Sequence, residues 1–242
     1  TPQSAAAFQL GQGGPGLLLL HGFGGTAGQM RFLANGLHEA GYTVCAPLLP
    51  GHGTTLEEMN QFSWHDWLTA ARVAYSRLRE ECSSVAVAGH SMGGVLALLL
   101  AEEYPVDAVI TLSAPLKILR HGAALTPLMG VFLPFVRWEP MRLPDGFLSE
   151  DYIGYDGLPT ARIADLNRLM RRARQNLFAI CAPLLTIQSD DDEIVHPDSP
   201  RLIAGGVSST VRQSIRLTHS MHLIHLGPER EEVLRQMLAF LN

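Results

Sequence analysis

Apolar residues occur along this chain in short unbroken runs, each followed by a turn or by a helical pattern. A strand with one buried face alternates apolar and polar residues, whereas an unbroken apolar strand is buried on both faces. The pattern therefore predicts a mostly parallel sheet covered on both sides. The runs are Leu17–Leu20, Thr43–Leu48, Ser84–Ala88, Ala108–Leu112, Pro183–Gln188 and Val211–Leu217.

Helical patterns fill the gaps between these runs. Ser63 and Asp66 have the spacing of a capping box, which predicts that a helix begins there. A second helix is predicted over Met92–Glu103, which is rich in Leu and Ala. Strands that alternate with helices indicate βαβ units and hence an α/β fold. The last helix is expected to begin at Pro228 and to present one apolar face, formed by Val233, Leu234, Met237, Leu238 and Leu241.

One long stretch interrupts this rhythm. Between Pro115 and about Gln175 the sequence has several prolines and the apolar run Leu128–Trp138, but no convincing strand. A structureless stretch of that length is uncommon in a compact domain and is usually functional. We therefore expect an α/β core of residues 1–115 and 176–242, with residues 116–175 inserted over the sheet. The alternative is a packing extension that only covers apolar surface.

Composition and charge narrow the class of protein. The chain has 242 residues, of which 47% are hydrophobic and 17% charged, so it has ample material for a core and is not intrinsically disordered. The net charge is −5 and the pI about 6.0. A nucleic-acid-binding protein usually has a basic stripe and a far higher pI. Nucleic acid is therefore not an expected partner.

Cysteine usage and hydropathy exclude further classes. The three cysteines form no C-x-x-C pair, so neither a disulfide framework nor a structural zinc site is expected. The longest apolar run, Val95–Ala101, is far shorter than the ~18 residues that cross a bilayer. No signal-peptide pattern is visible. We expect a cytoplasmic protein without a stable membrane anchor, and the sequence leaves its oligomeric state open.

The strongest chemical signal is Gly89-His90-Ser91-Met92-Gly93, between a predicted strand and a predicted helix. In that context G-x-S-x-G forms a sharp turn that exposes the serine hydroxyl at the carboxyl end of the sheet. The glycines remove side chains that would collide in the turn. The helix that begins at Met92 points its amides and its positive dipole end towards the site. Ser91 is therefore the predicted nucleophile.

Serine needs a general base, and in enzymes with this turn an acid and then a histidine follow along the chain. The candidate bases after the last strand are His219, His222 and His225, and we choose His222 because its loop leads directly to the last helix. The other two are expected to be loop or surface histidines. Their H-x-x-H-x-x-H spacing also allows a metal site, but such pairs usually lie on a helix, and no metal is expected.

The acid that orients the imidazole is expected just after the strand at 183–188. Asp192 is our choice, because the apolar residues Ile194 and Val195 and then Pro197 anchor its loop. Asp191 is the alternative. The other acids in this segment, Asp190, Glu193 and Asp198, are expected to be solvated.

A developing oxyanion needs backbone donors. The amide of Met92, next after the serine, is the first expected donor. The second is the amide of Phe23 in His21-Gly22-Phe23-Gly24-Gly25, where Gly22 and Gly24 let the backbone approach the substrate. His21 is then a structural turn residue.

These segments together resemble the α/β-hydrolase superfamily, and within it the bacterial carboxylesterases and monoacylglycerol lipases. The resemblance covers about residues 15–115 and 180–242. Met221 replaces the glycine that is usual before the histidine. The matching segments are His21–Gly25, Pro50–Gly53, Gly89–Gly94, Asp192–Pro197 and Ser220–Leu226.

The resemblance implies hydrolysis of hydrophobic carboxylic esters, from short and medium acyl esters to monoacylglycerols, through an acyl-enzyme and without a cofactor. It implies that the insertion is a cap that shapes an acyl pocket. The expected partner is a small-molecule ester. Thioester, amide and carbon–carbon bond hydrolysis with the same triad remain alternatives, as does a ligand-binding module of the same fold. The pocket residues expected on this basis are Gly24, Leu128, Phe132, Phe135, Ile194 and Leu223.

Overall fold

A computed structural model describes residues 5–119, 133–137, 145–148, 152 and 154–242. Its main sheet has seven strands: β1 (Phe8–Leu10), β2 (Pro15–Leu20), β3 (Thr43–Ala46), β4 (Ser84–His90), β5 (Val109–Leu112), β8 (Leu184–Ser189) and β9 (Arg212–Leu217). They lie in the order β1-β3-β2-β4-β5-β8-β9, and all are parallel except β1. The sheet therefore confirms the predicted α/β class.

Helices cover both faces of this sheet. Successive residues of β2 point to opposite faces, so Leu18 and Leu20 join one core and Leu17 and Leu19 the other. The helices are α1 (Arg31–Glu39), α2 (Leu56–Met59), α3 (Trp64–Glu81), α4 (Met92–Glu103), α5 (Thr160–Asn176), α6 (Ser199–Gly206) and α7 (Arg230–Leu241). Of these, α3, α4, α5 and α6 contribute to the first core, and α1 and α7 to the second.

Helix α4 is the centre of the first core. It is apolar on all sides, and its residues from Met92 to Ala101 are buried. The predicted capping box of α3 also forms: the Asp66 carboxylate accepts from the Ser63 amide, and the Ser63 side chain accepts from the backbone amide three residues on. The two helix predictions made from these segments are confirmed.

The structure corrects three expectations about strands. The expected strand at 211–217 is β9, but most of its residues are exposed because it is the edge strand of the sheet. Strand β1 was not predicted, because three residues carry too little pattern. Residues 116–175, the expected insertion, also contain two strands, β6 (Phe135–Arg137) and β7 (Gly157–Pro159), which pair antiparallel. Three-residue strands between prolines give no signal of a strand in the sequence.

The topology places several chain turns at one edge of the sheet. In the register of the parallel strands, Leu20 of β2 lies opposite Gly89 of β4, and Ser189 of β8 lies opposite Leu217 of β9. The loops that follow these four strands therefore leave the sheet at its carboxyl edge. Ligands of open α/β sheets bind at that edge.

Over the described ranges, no helix has the length and apolar character required to cross a membrane.

Candidate active site

Ser91 lies in a strained turn between β4 and α4. Its φ is 51° and its ψ −118°, a backbone conformation that residues other than glycine rarely adopt. The glycines of the motif make this turn possible. A Cβ on Gly89 would collide with the backbone of Gly93, and a Cβ on Gly93 would collide with the carbonyl of Leu20. The strain fixes the serine where the loops of the carboxyl edge meet.

Three side chains from three of these loops form a continuous hydrogen-bonded chain. Ser91 Oγ lies 3.0 Å from His222 Nε2. His222 Nδ1 lies 3.0 Å and 3.1 Å from the two carboxylate oxygens of Asp192. With the proton on Nδ1 donated to Asp192, Nε2 is free to accept from the serine hydroxyl. All three residues are buried, so little water competes for these bonds.

The loop after β8 holds Asp192 in an ionised state. Its Oδ1 accepts from the amides of Ile194 (3.0 Å) and Val195 (2.8 Å). Burial raises the pKa of Asp192, but the bonds from His222 and from these two amides outweigh it, so the pKa lies below its usual value. The alternative acid, Asp191, is exposed and makes no such contact with His222.

The loop after β2 passes beside the serine. A Cβ on Gly22 would lie 3.3 Å from Ser91 Cβ, so a larger residue would crowd Ser91. The Phe23 ring packs 5.4 Å from that of Trp67 on α3, which fixes the loop. Met92 is the first residue of α4, where an amide has no acceptor in the preceding turn of the helix. Both predicted oxyanion donors therefore belong to segments that adjoin Ser91.

Four further histidines are buried around this site. His21 Nε2 accepts from the Leu49 amide at 3.0 Å, and burial lowers the pKa of His21 to about 4. Burial also lowers the pKa values of His52 and His225 to about 3. The pKa of His90 lies well below its usual value, because of burial and then of the neighbouring imidazoles. All four are neutral at pH 7, and His21 is a structural turn residue as expected.

His225 lies in a loop, which is one of the two expected settings, but it is not at the surface. Its ring is fully buried and packs 4.3 Å from that of His90, whereas His219 is exposed. Over the described residues, no three His, Cys, Asp or Glu side chains are grouped as a metal site would require.

Two residues that the sequence analysis did not assign to the site contact the main chain of His222. Glu193 Oε2 accepts from the His222 amide at 3.0 Å. His90 Nε2 donates to the His222 carbonyl at 3.0 Å. Glu193 had been expected to be solvated; its side chain is exposed, but it also has this structural bond. The only signal in the sequence was that each residue adjoins a predicted triad member.

The predicted pocket residues have varied positions. Gly24 has a φ of +73°, and a Cβ there would lie 3.3 Å from Leu158 of the insertion. Ile194 has a side chain 41% exposed, and its amide supports Asp192. Leu223 is half-buried beside His222, and Phe135 is half-buried in β6. Leu128 and Phe132 lie outside the described residues.

Comparison with known proteins finds relatives that span almost the whole chain. The family model described as serine aminopeptidase, S33, matches residues 16–229. A thermostable monoacylglycerol lipase of Bacillus sp. (strain H-257) is 36% identical over 98% of this chain and 94% of its own length. A carboxylesterase of Bacillus subtilis (strain 168) is 28% identical over 95% of this chain and 93% of its own length.

A solved structure from work on LipS and LipT, two metagenome-derived lipolytic enzymes, has a TM-score of 0.92 to this chain. It is 30% identical in sequence and covers 98% of this chain and 97% of its own. The sheet order, the serine turn and these relatives define an α/β-hydrolase of the esterase and lipase kind. Within that class, the chain belongs to the family described as serine aminopeptidase, S33.

Proposed function

We propose that this enzyme hydrolyses hydrophobic carboxylic esters with Ser91 as nucleophile, His222 as general base and acid, and Asp192 as the orienting acid. The observation that carries the proposal is the chain of bonds from Ser91 Oγ through both nitrogens of His222 to the Asp192 carboxylate. A serine hydroxyl is a weak nucleophile unless a base takes its proton. Asp192 supports that base by holding its tautomer and by stabilising the imidazolium that forms.

The reaction would proceed in two halves. Ser91 Oγ bonds to the ester carbonyl carbon while its proton moves to His222 Nε2, and the amides of Phe23 and Met92 bind the resulting oxyanion. The intermediate then breaks its bond to the alcohol oxygen, which takes the proton from Nε2. Water attacks the acyl-enzyme, gives its proton to His222, and the carboxylic acid leaves as Ser91 regains the proton.

Residues 116–175 would form a cap over this site. Two contacts support the proposal: Leu158 lies next to Gly24 of the loop that carries Phe23, and the Tyr155 hydroxyl accepts from the Thr54 amide at 2.9 Å. Both contacts join the insertion to loops at the carboxyl edge of the sheet. Apolar residues dominate the lining of most sites for such ligands. The predicted pocket residues Leu128, Phe132 and Phe135 would belong to this cap.

The substrate would be a small ester with an apolar acyl chain, and monoacylglycerols are our first choice. The 36% identical relative is named a monoacylglycerol lipase, and the 28% identical one a carboxylesterase. The matching family is described as serine aminopeptidase, S33, so amides should be tested as substrates beside the esters. No cofactor is needed in this mechanism, since the triad and two backbone amides supply every step.

Labelling with a fluorophosphonate tests the proposal. Ser91 Oγ should form a bond to phosphorus with loss of fluoride, which gives a single adduct in the intact mass of the wild type and none in Ser91→Ala. Turnover of monoacylglycerols and nitrophenyl esters should fall by at least about 10⁴-fold in Ser91→Ala. Esterase activity retained by a folded Ser91→Ala variant would refute the proposal, and faster turnover of matched amides would redirect it to peptidase chemistry.

A further inference from the structure

The main chain of His222 is held at both of its polar groups by side chains. The Glu193 carboxylate accepts its amide proton, and His90 donates to its carbonyl. A local bond from the Ile224 amide reaches the same carbonyl at 3.0 Å. The segment around His222, between β9 and α7, has no regular secondary structure. Most of the restraint on the position of its backbone must therefore come from such contacts.

The two side chains come from positions next to the other triad residues. His90 precedes Ser91 at the end of β4, and Glu193 follows Asp192 after β8. Each loop therefore provides two contacts to the histidine loop, one to the imidazole and one to the main chain. The distances from Ser91 Oγ and from Asp192 to the imidazole are thus tied to the positions of those same two loops.

We propose that His90 and Glu193 are positioning residues that clamp the backbone of His222, so that its imidazole is held between Ser91 and Asp192. The proposal rests on the function proposed above. Reacting groups must be held within a fraction of an ångström, because a displacement of about 1 Å can reduce the rate by about 100-fold. The nitrogens of the imidazole have their hydrogen bonds with Asp192 and Ser91 and not with either clamp residue, so the effect of the clamp would pass through the position of the ring.

His90 suits this role because its state is fixed. It is 2% exposed, and its ring lies 4.7 Å from that of His222 and 4.3 Å from that of His225. Burial keeps the ring neutral, and the proton on Nε2 is committed to the His222 carbonyl. Gly22 leaves room for the ring, since a Cβ there would lie 2.9 Å from His90 Nδ1.

Glu193 accepts the amide proton of His222 from an exposed position. A hydrogen bond to a charged acceptor is stronger than one between neutral groups. Because the side chain is exposed, its replacement should leave the fold intact. Glu229 offers a matched control: it accepts from the amides of Thr218 and His219 in the same loop, at 3.2 Å and 2.9 Å, but not from His222.

The test compares variants that remove each bond with variants that keep it. Glu193→Met and His90→Leu remove the acceptor and the donor. Glu193→Gln keeps an acceptor oxygen, and His90→Gln places an amide donor near the former Nε2. Glu229→Met is the loop control, and Ser91→Ala measures the background. Active sites are counted with the fluorophosphonate, so that kcat refers to folded, competent enzyme.

We expect Glu193→Met and His90→Leu to lower kcat by about 10- to 100-fold, with KM within about threefold of the wild type. The second-order rate of phosphonylation at Ser91 should fall by the same factor, because that step needs the same Ser91–His222 geometry. Both Gln variants should recover to within about threefold of the wild type. Glu229→Met should destabilise the loop and so have a lower melting temperature than the wild type, while kcat per active site stays unchanged.

Two results would overturn the clamp. One is a wild-type kcat per active site in Glu193→Met, a variant of an exposed residue that should fold normally. The other is a Glu193→Gln variant as slow as Glu193→Met, which would mean that the charge of Glu193 matters and its hydrogen bond does not. Failure of the proposed function has a different signature, namely activity that survives in Ser91→Ala.

Discussion

Ser91 is the residue in which backbone strain and the proposed chemistry coincide. Its positive φ is kept by contacts on both sides, because Gly89 and Gly93 pack directly against main-chain atoms. The same packing leaves the hydroxyl 3.0 Å from His222. Strained residues persist only where their surroundings over-determine them. Here the central helix α4 and strand β4 supply that constraint.

The neighbouring acids after β8 allow a sharp test at this scale. Asp192→Asn should lower kcat by about 10⁴-fold, because an asparagine amide cannot hold the tautomer of His222 or stabilise its cation. Asp191→Asn, one position earlier and exposed, should change kcat by less than about threefold. Steady-state kinetics on a nitrophenyl ester measures both. Equal losses in the two variants would show that general loop disruption, not orientation of the base, lowers activity.

Single residues also show how much of the site could be predicted from the sequence. Ser91, Asp192 and His222 were predicted from motif and chain order. Ser91 and Asp192 each lie within hydrogen-bond distance of His222, although the three roles stay predictions. His90 and Glu193 could not be assigned in this way. Their bonds are to backbone atoms, which every residue has, so no pattern of residue types reveals them.

At the scale of elements, strands with unbroken apolar runs were predictable and short ones were not. β2, β4, β5 and β8 follow the expected runs within about two residues. β1, β6 and β7 have three residues each, and their pairing depends on partners distant in sequence. β9 was also predicted from its apolar run. Its position at the edge of the sheet leaves its outer residues exposed, and a local sequence pattern cannot indicate which strand lies at an edge.

The carboxyl group of Glu102, at the contact between α4 and α5, is expected to titrate at an unusual pH. The Glu102 side chain is 1% exposed, its Oε2 lies 3.2 Å from Arg172, and its Oε1 has no hydrogen-bond partner within the described ranges. Burial raises the pKa of Glu102 to about 7 despite Arg172. The folded state thus favours the protonated acid. Its contribution to stability is complete below about pH 4.5 and is lost as the pH rises through 7.

Glu102→Gln, which stays neutral, should remove that loss. We expect the free energy of unfolding of the variant, relative to the wild type, to increase steadily between about pH 5 and pH 8. Urea unfolding at each pH measures the difference. Glu103→Gln is the control, since the side chain of Glu103 is 22% exposed and pairs with Arg72 at 2.8 Å. A difference for Glu102→Gln that does not change with pH would contradict the raised pKa.

For the whole molecule, the buried imidazoles dominate the response to acid. His21, His52, His90 and His225 have lowered pKa values in the folded protein and an ordinary pKa of about 6.5 when unfolded. Their contribution to stability is complete above about pH 6.5. It is lost as the pH falls towards their folded pKa values, because only the unfolded chain binds the protons.

Near pH 5 the unfolded chain should bind about three more protons than the folded one, four from these histidines less one from Glu102, so stability should fall by about 4 kcal/mol per pH unit. Urea unfolding at several pH values close to 5 measures this slope. His225→Phe keeps an aromatic ring against His90 and should reduce the slope by about 1.4 kcal/mol per pH unit. His219→Phe, at an exposed position, should leave the slope as it is. A wild-type slope in His225→Phe would mean that the imidazole of His225 in the wild-type enzyme is protonated as readily in the folded state as in the unfolded chain. That result would contradict the lowered pKa of His225.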